Sequence, residues 1–138
     1  MIAGIIGYTG YTGIELLKIL NRHPHLDNIK LFSDSVSSID EFSVKFSLTD
    51  NKKFDVYSRS AEQINDCEIL FFCTPEGYCL KNVNKYLDQK KLIIDLSPDF
   101  RIKDVNLWKK WYKVDHTEPL ILKNSVYGLS EIYKKEFQ

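Results

Sequence analysis

Seven residues, Gly7-Tyr8-Thr9-Gly10-Tyr11-Thr12-Gly13, set glycines three apart with hydroxyl side chains between them, directly after the apolar run Ile2 to Ile6. A turn of this kind between a strand and a helix brings the backbone close to a pyrophosphate. The unpaired amides and positive dipole end of the new helix then attract the phosphate charge. Gly7, Thr9, Gly10, Tyr11, Thr12 and Gly13 are therefore candidate nucleotide contacts, the alternative being a glycine turn with a structural role only. Thr12 with Glu15 predicts a capping box at the start of the helix. About twenty positions past the glycines, where an acidic residue commonly accepts from an adenosine ribose, stands Asp34. A carboxylate there argues for NAD, while the hydroxyls of Ser33, Ser35, Ser37 and Ser38 are suited to a 2′-phosphate. Asp34 equally suits the start of a turn.

Two further segments carry polar groups where strands should end. Cys73-Thr74-Pro75-Glu76-Gly77 follows an apolar run, and Thr74 and Pro75 are candidates for the wall on the nicotinamide side. Asp95-Leu96-Ser97-Pro98-Asp99-Phe100-Arg101 follows another. There Ser97 is a candidate hydrogen-bond donor to the cofactor or a turn hydroxyl. Arg101 has the fork to grip a substrate phosphate, or to pair with Asp95 or Asp99. Cys67, Cys73 and Cys79 lack both CxxC spacing and a neighbouring base, so they read as buried, reduced thiols, with no metal site and no catalytic residue assigned. His23 before Pro24 reads as a helix stop and His116 as an exposed loop histidine.

The elements that must position these groups follow from periodicity. Ile2 to Ile6, Ile29 to Phe32, Ile69 to Phe72 and Leu92 to Ile94, with a weaker Phe54 to Tyr57, are apolar runs without alternation, as expected of parallel strands covered on both faces. Helical spacing fills Gly13 to Arg22, through Ile14, Leu17 and Leu20, and Tyr78 to Gln89, through Val83 and Leu87. A short helix is predicted over Lys103 to Tyr112, with Val105, Leu107, Trp108 and Trp111 as its apolar members, followed by loop at His116 to Pro119. The class is α/β, a doubly wound, mostly parallel Rossmann sheet with helices on both faces.

The chain has 138 residues, 43% of them hydrophobic, which suits one compact domain. Nineteen basic residues balance nineteen acidic ones, leaving no field to gather nucleic acid or an anionic membrane. The start has neither a basic n-region nor a long apolar stretch, so a cytoplasmic protein is expected.

The opening Gly7-Tyr8-Thr9-Gly10-Tyr11-Thr12-Gly13-Ile14-Glu15-Leu16 with His23-Pro24 resembles that of N-acetyl-gamma-glutamyl-phosphate reductases. So does a second block: Ile94 to Arg101, then Trp111-Tyr112, His116, Pro119 and Val126-Tyr127-Gly128-Leu129-Ser130-Glu131. The resemblance spans residues 1 to 34 and 68 to 133. It departs at Glu76, Pro98 and Ser130, and in having no Lys or Arg between Phe32 and Val44.

What it implies is NADP-dependent reduction of an acyl phosphate in arginine biosynthesis: a thiolate displaces phosphate, and hydride reduces the thioester to the aldehyde. It also implies a homo-oligomeric enzyme, a role for His116 in ordering the loop near Tyr112, and Tyr127 and Glu131 close to the active site. The family's nucleophilic Cys follows the position of Glu131, and its second domain supplies a general-base histidine. Residues 1–138 are accordingly expected to form the dinucleotide-binding domain without the substrate domain, inactive alone and with an exposed apolar face. Aspartyl and aminoadipyl phosphate reductases, and a non-catalytic nucleotide-binding module, are the other readings.

Overall fold

The computed structural model describes residues 1–35, 54–133 and 135. Five strands form one sheet: β1 (Ile2–Ile6), β2 (Asn28–Ser33), β3 (Phe54–Ser58), β4 (Ile69–Phe72) and β5 (Leu92–Asp95). Their order is β3-β2-β1-β4-β5 and every pairing is parallel. The predicted strands stand to within a residue at each end, including the weaker one. Ser37 and Ser38 lie outside the described residues.

Helix α1 (Tyr11–Leu20) joins β1 to β2, and α2 (Tyr78–Leu87) joins β4 to β5. The first buries Ile14, Leu17 and Leu20 with Ala3, Ile5, Ile29 and Leu31; the second buries Cys79, Leu80, Val83 and Tyr86 with Ile6, Phe32, Leu70 and Phe72. The helices thus cover different faces, which is why the strands carry apolar residues in unbroken runs. Because β1 has β2 on one side and β4 on the other, the chain reverses direction across the sheet beside it. The carboxyl ends of β1 and β4 flank the crevice at this switch point, where open α/β sheets take ligands.

The structure departs from the sequence-based expectations in five places. Helix α1 starts at Tyr11 with Gly10 as its N-cap and no side-chain cap, so Thr12 lies inside the first turn and makes no capping box. Glu15 pairs instead with Lys18, 2.7 Å away. Helix α2 turns Tyr86 rather than Leu87 into the core. Helix α3 (Val105–Tyr112) buries only Trp108, while Val105, Leu107 and Trp111 face water, and its true signal is the N-cap Asp104, which accepts from the amides of Asn106 and Leu107. Past it, Pro119–Asn124 forms helix α4, missed because it is short; Lys103 Nζ holds its end by donating to the carbonyls of Leu122 and Lys123. A last turn, α5, spans Ser130–Tyr133.

His116 is not a free loop side chain. Its ring lies edge-on to Phe100 and Trp108, with centroids 5.3 and 5.1 Å apart, and Tyr112 packs on Trp108 in turn. Nδ1 accepts from the Glu118 amide at 3.2 Å, so Nε2 carries the proton that it shares with the Asp99 carbonyl at 2.9 Å.

Asp99 has no exposed surface. Its carboxylate accepts from the amides of Gly77, at 2.7 Å, and Leu80, at 3.0 Å, and so caps α2 from a loop that leaves the neighbouring strand. Replacing Asp99 with Ala should cost about 2–3 kcal/mol of stability, the worth of charge-assisted bonds to buried amides. Chemical denaturation measures it, and a loss below the level of an ordinary surface substitution would remove Asp99 from this role.

Candidate functional site

The glycine loop closes over the end of β1. The Gly7 amide donates to the Phe32 carbonyl of β2 and the Cys73 amide to the Ile6 carbonyl, so the segments leaving β1, β2 and β4 are tied together just beyond the sheet. Gly7 has φ +85°, and a Cβ on it would lie 2.4 Å from the Cys73 carbonyl oxygen and 3.3 Å from the Thr74 methyl. Gly13 is equally confined, its missing Cβ falling 2.6 Å from Tyr8 Cα. The Tyr8 ring between them is fully buried against Ile14 and Leu17, an anchor that the loop-like sequence concealed.

Gly10 differs. Among the described residues a Cβ there would meet only the Gly7 carbonyl, at 3.8 Å, so none of them requires a glycine. Thr9, Gly10, Tyr11 and Thr12 all face solvent. With no side chain capping α1, its first amides remain available to an anion. Beside Gly7, buried Thr74 holds its Oγ1 without a hydrogen-bond partner among the described residues. A buried hydroxyl left unpaired is costly, and a ligand hydroxyl or phosphate in the crevice would satisfy it. Pro75 stands exposed next to it. These features fit a pyrophosphate over Gly10 and a polar ligand group against Thr74.

The remaining candidates divide. Asp34 and Ser35 leave β2 at the same carboxyl edge, exposed, with Ser35 bonded through its amide and hydroxyl to Ser33 Oγ. Ser97 is buried and its hydroxyl already engaged, donating to Asp95 at 2.9 Å and accepting from the Asp99 amide at 3.2 Å. It therefore shapes the turn, with one lone pair left for a ligand. Arg101 is exposed and pairs with neither Asp95 nor Asp99. Asp95 is held above the usual carboxylate range by burial, against the lowering effect of the Ser97 bonds and with the charge of Asp99 adding to the rise. Its proton is thus favoured by folding, so its contribution to stability is present in acid and lost as pH rises through the raised value.

Two residues escaped the sequence reading because only tertiary structure brings them here. Asp99 holds the loop after β4 to the loop after β5 through Gly77. Arg59, one residue beyond β3, forms an ion pair of 2.9 Å with Asp34. The only available signal for Arg59 was its place just after a weak strand.

Burial disfavours the thiolate form of all three cysteines. Burial pushes Cys73 up to about 12, with the charge of Asp95 adding, and Cys67 up to about 11 against the opposing charges of Lys30 and Lys91. Burial likewise raises Cys79, reinforced by Asp95 and Asp99. Among the described residues no group of His, Cys, Asp and Glu could hold a metal ion, and no helix is long and apolar enough to cross a membrane.

A strand, an uncapped glycine turn and a helix, set at the switch point of a parallel sheet, are the parts that a comparison with known families must match. The family model described as semialdehyde dehydrogenase, NAD binding domain, matches residues 2–138. The chain belongs to this semialdehyde dehydrogenase family. Among its relatives is a protein of Ruthia magnifica named N-acetyl-gamma-glutamyl-phosphate reductase, 41% identical over 98% of this chain and 40% of that protein. One of the same name from Vesicomyosocius okutanii is 43% identical over the same shares. Another, from Desulforamulus reducens, is 34% identical over 96% of this chain and 38% of its own length. The resemblance noted in the sequence thus holds, and the chain spans about 40% of the length of these relatives.

The semialdehyde dehydrogenase fold makes two expectations of this site measurable. Gly7→Ala should lose about 1–3 kcal/mol because it forces a side chain into left-handed backbone against a carbonyl. Gly10→Ala should stay within about 1 kcal/mol of the parent, since its backbone is already extended; thermal melts compare the two, and equal losses would remove the distinction. Iodoacetamide near neutral pH should leave all three thiols unmodified in the native protein and label them in denaturant, as mass spectrometry would show. Rapid native labelling would mean that burial does not control them.

Proposed function

We propose that this chain is the cofactor domain of an NADP-dependent reductase that converts N-acetyl-gamma-glutamyl phosphate to its semialdehyde in arginine biosynthesis. The observation that carries the proposal is the open space at Gly10, over an uncapped helix start at the switch point of the sheet. In this reading Gly7, Thr9, Gly10, Tyr11, Thr12 and Gly13 cradle the pyrophosphate. Asp34 and Ser35 lie toward the adenosine ribose, and Thr74, Pro75 and Ser97 line the way to the nicotinamide. NADP supplies the hydride when bound.

Arg101, exposed beyond β5 and without an ion-pair partner among the described residues, is suited to take the acyl phosphate of the substrate, its planar fork matching two phosphate oxygens. Acyl transfer needs a thiolate, and burial holds Cys67, Cys73 and Cys79 protonated near neutral pH. In this reading the nucleophile comes from elsewhere in the enzyme, and residues 1–138 by themselves bind the cofactor without turning over substrate. The working enzyme is a cytoplasmic homo-oligomer in which the substrate domain covers apolar side chains such as Leu107, Trp111, Leu120 and Ile132, all exposed here. With charges balanced at nineteen of each sign, nucleic acid and membrane are not among its partners.

Calorimetric titration with NADPH and NADH tests the reading. The parent chain should bind NADPH and the Gly10→Val variant should lose it while melting at nearly the parent temperature, because the added side chain obstructs only the pyrophosphate. A parent chain that binds neither nucleotide would refute the proposed function.

A further inference from the structure

At the carboxyl edge of the sheet, Arg59 sits in surroundings that the glycine loop does not explain. Strands β2 and β3 run in parallel register with Ser33 opposite Ser58, so the next residues of each, Asp34 and Arg59, emerge side by side. Their ion pair is lopsided: the Asp34 side chain is 73% exposed and that of Arg59 only 22%. Arg59 is held on its other side by the Tyr78 ring, whose centroid lies 4.7 Å from the guanidinium carbon. Tyr78 opens α2 after β4, so the guanidinium bridges from the edge strand back toward the crevice. Its Nε is buried and has no hydrogen-bond partner among the described residues.

We infer that Arg59 selects NADP over NAD by binding the 2′-phosphate of the adenosine ribose, with Asp34 acting as a stand-in anion that the phosphate displaces. This inference rests on the chain being a dinucleotide-binding domain. The ribose of a nucleotide laid across a parallel sheet from the glycine loop reaches the end of the second strand, where Asp34 stands. A bare carboxylate there would repel a dianionic phosphate, but this one is already neutralised by Arg59.

Asp34 is the solvent-facing half of the pair, so it can turn into water when the phosphate takes its place on Arg59. A phosphate brings more negative charge and three acceptor oxygens, which suit a planar fork that still has donors to spare. Tyr78 keeps that fork from following Asp34 outward. Ser58 and Ser60, whose hydroxyls lie 3.2 Å apart on either side of Arg59 in the chain, add donors at the same edge.

The test uses half-ligands that omit the nicotinamide. The parent chain, Arg59→Ala and Asp34→Asn would each be titrated by calorimetry with 2′,5′-ADP and with 5′-AMP, after circular dichroism has confirmed folding. The parent should prefer 2′,5′-ADP. Arg59→Ala should weaken 2′,5′-ADP about 10- to 100-fold, the worth of a charge-assisted contact, while leaving 5′-AMP unchanged. Asp34→Asn should bind 2′,5′-ADP at least as well as the parent.

Equal weakening of both ligands by Arg59→Ala would show a structural role and overturn the inference, as would no change in either. A parent that does not discriminate between the ligands, yet binds NADH and NADPH, would overturn it while leaving the dinucleotide reading intact. A parent that binds none of the four would bring down both. Should Arg59→Ala fail to fold, Arg59→Gln keeps a polar chain against Tyr78 and gives the same readout.

Discussion

A carboxylate with no exposed surface is expensive unless amides and a helix dipole take the place of water. Asp99 meets that condition at the start of α2, accepting from Gly77 and Leu80. In doing so it fixes the loop after β4 against the loop after β5, and its own amide and carbonyl engage Ser97 and His116. The edge of the crevice that carries Thr74 is therefore set by a residue twenty-five positions later in the chain. The aromatic cluster of Phe100, Trp108, Tyr112 and His116 hangs from the same point, so the segments beyond β5 are positioned through it.

On the opposite side of the crevice the constraint is steric. Gly7 and Gly13 are glycines because neighbouring backbone occupies the place of a side chain. Gly10 is a glycine for which the described residues supply no steric reason, and that contrast separates the part of the loop that builds the turn from the part that faces the open crevice. Buried Tyr8 anchors the loop from below, while the rim from Thr9 to Thr12 stays exposed.

At the adenosine end the two halves of a charge pair come from strands that are neighbours in space and about twenty-five residues apart in sequence, Asp34 after β2 and Arg59 after β3. The absence of Lys and Arg between Phe32 and Val44 left that end looking wholly acidic. Parallel pairing of β2 with β3 corrects the balance, because register alone delivers a guanidinium to the carboxylate. The serine candidates next to them are spent differently: Ser35 bonds locally to Ser33, and Ser97 is absorbed by Asp95 and Asp99.

The sequence by itself determined the strands, their parallel arrangement and the glycine turn, because unbroken apolar runs and glycine spacing are local consequences of burial on two faces and of backbone geometry. It also carried the family resemblance, through the motifs that flank β1 and follow β5. It misplaced the start of α1, where Thr12 offered a side-chain cap but the helix begins at Tyr11 with Gly10 as its N-cap and no side-chain cap. It overfilled the apolar face of α3, since four apolar positions cannot reveal that only Trp108 meets the core. Tertiary structure alone decided the pairing of Arg59 with Asp34, the seat of Asp99 under α2 and the locked ring of His116. Each depends on groups far apart in sequence meeting at one sheet edge, and no local pattern of residue types encodes a meeting that register and packing bring about.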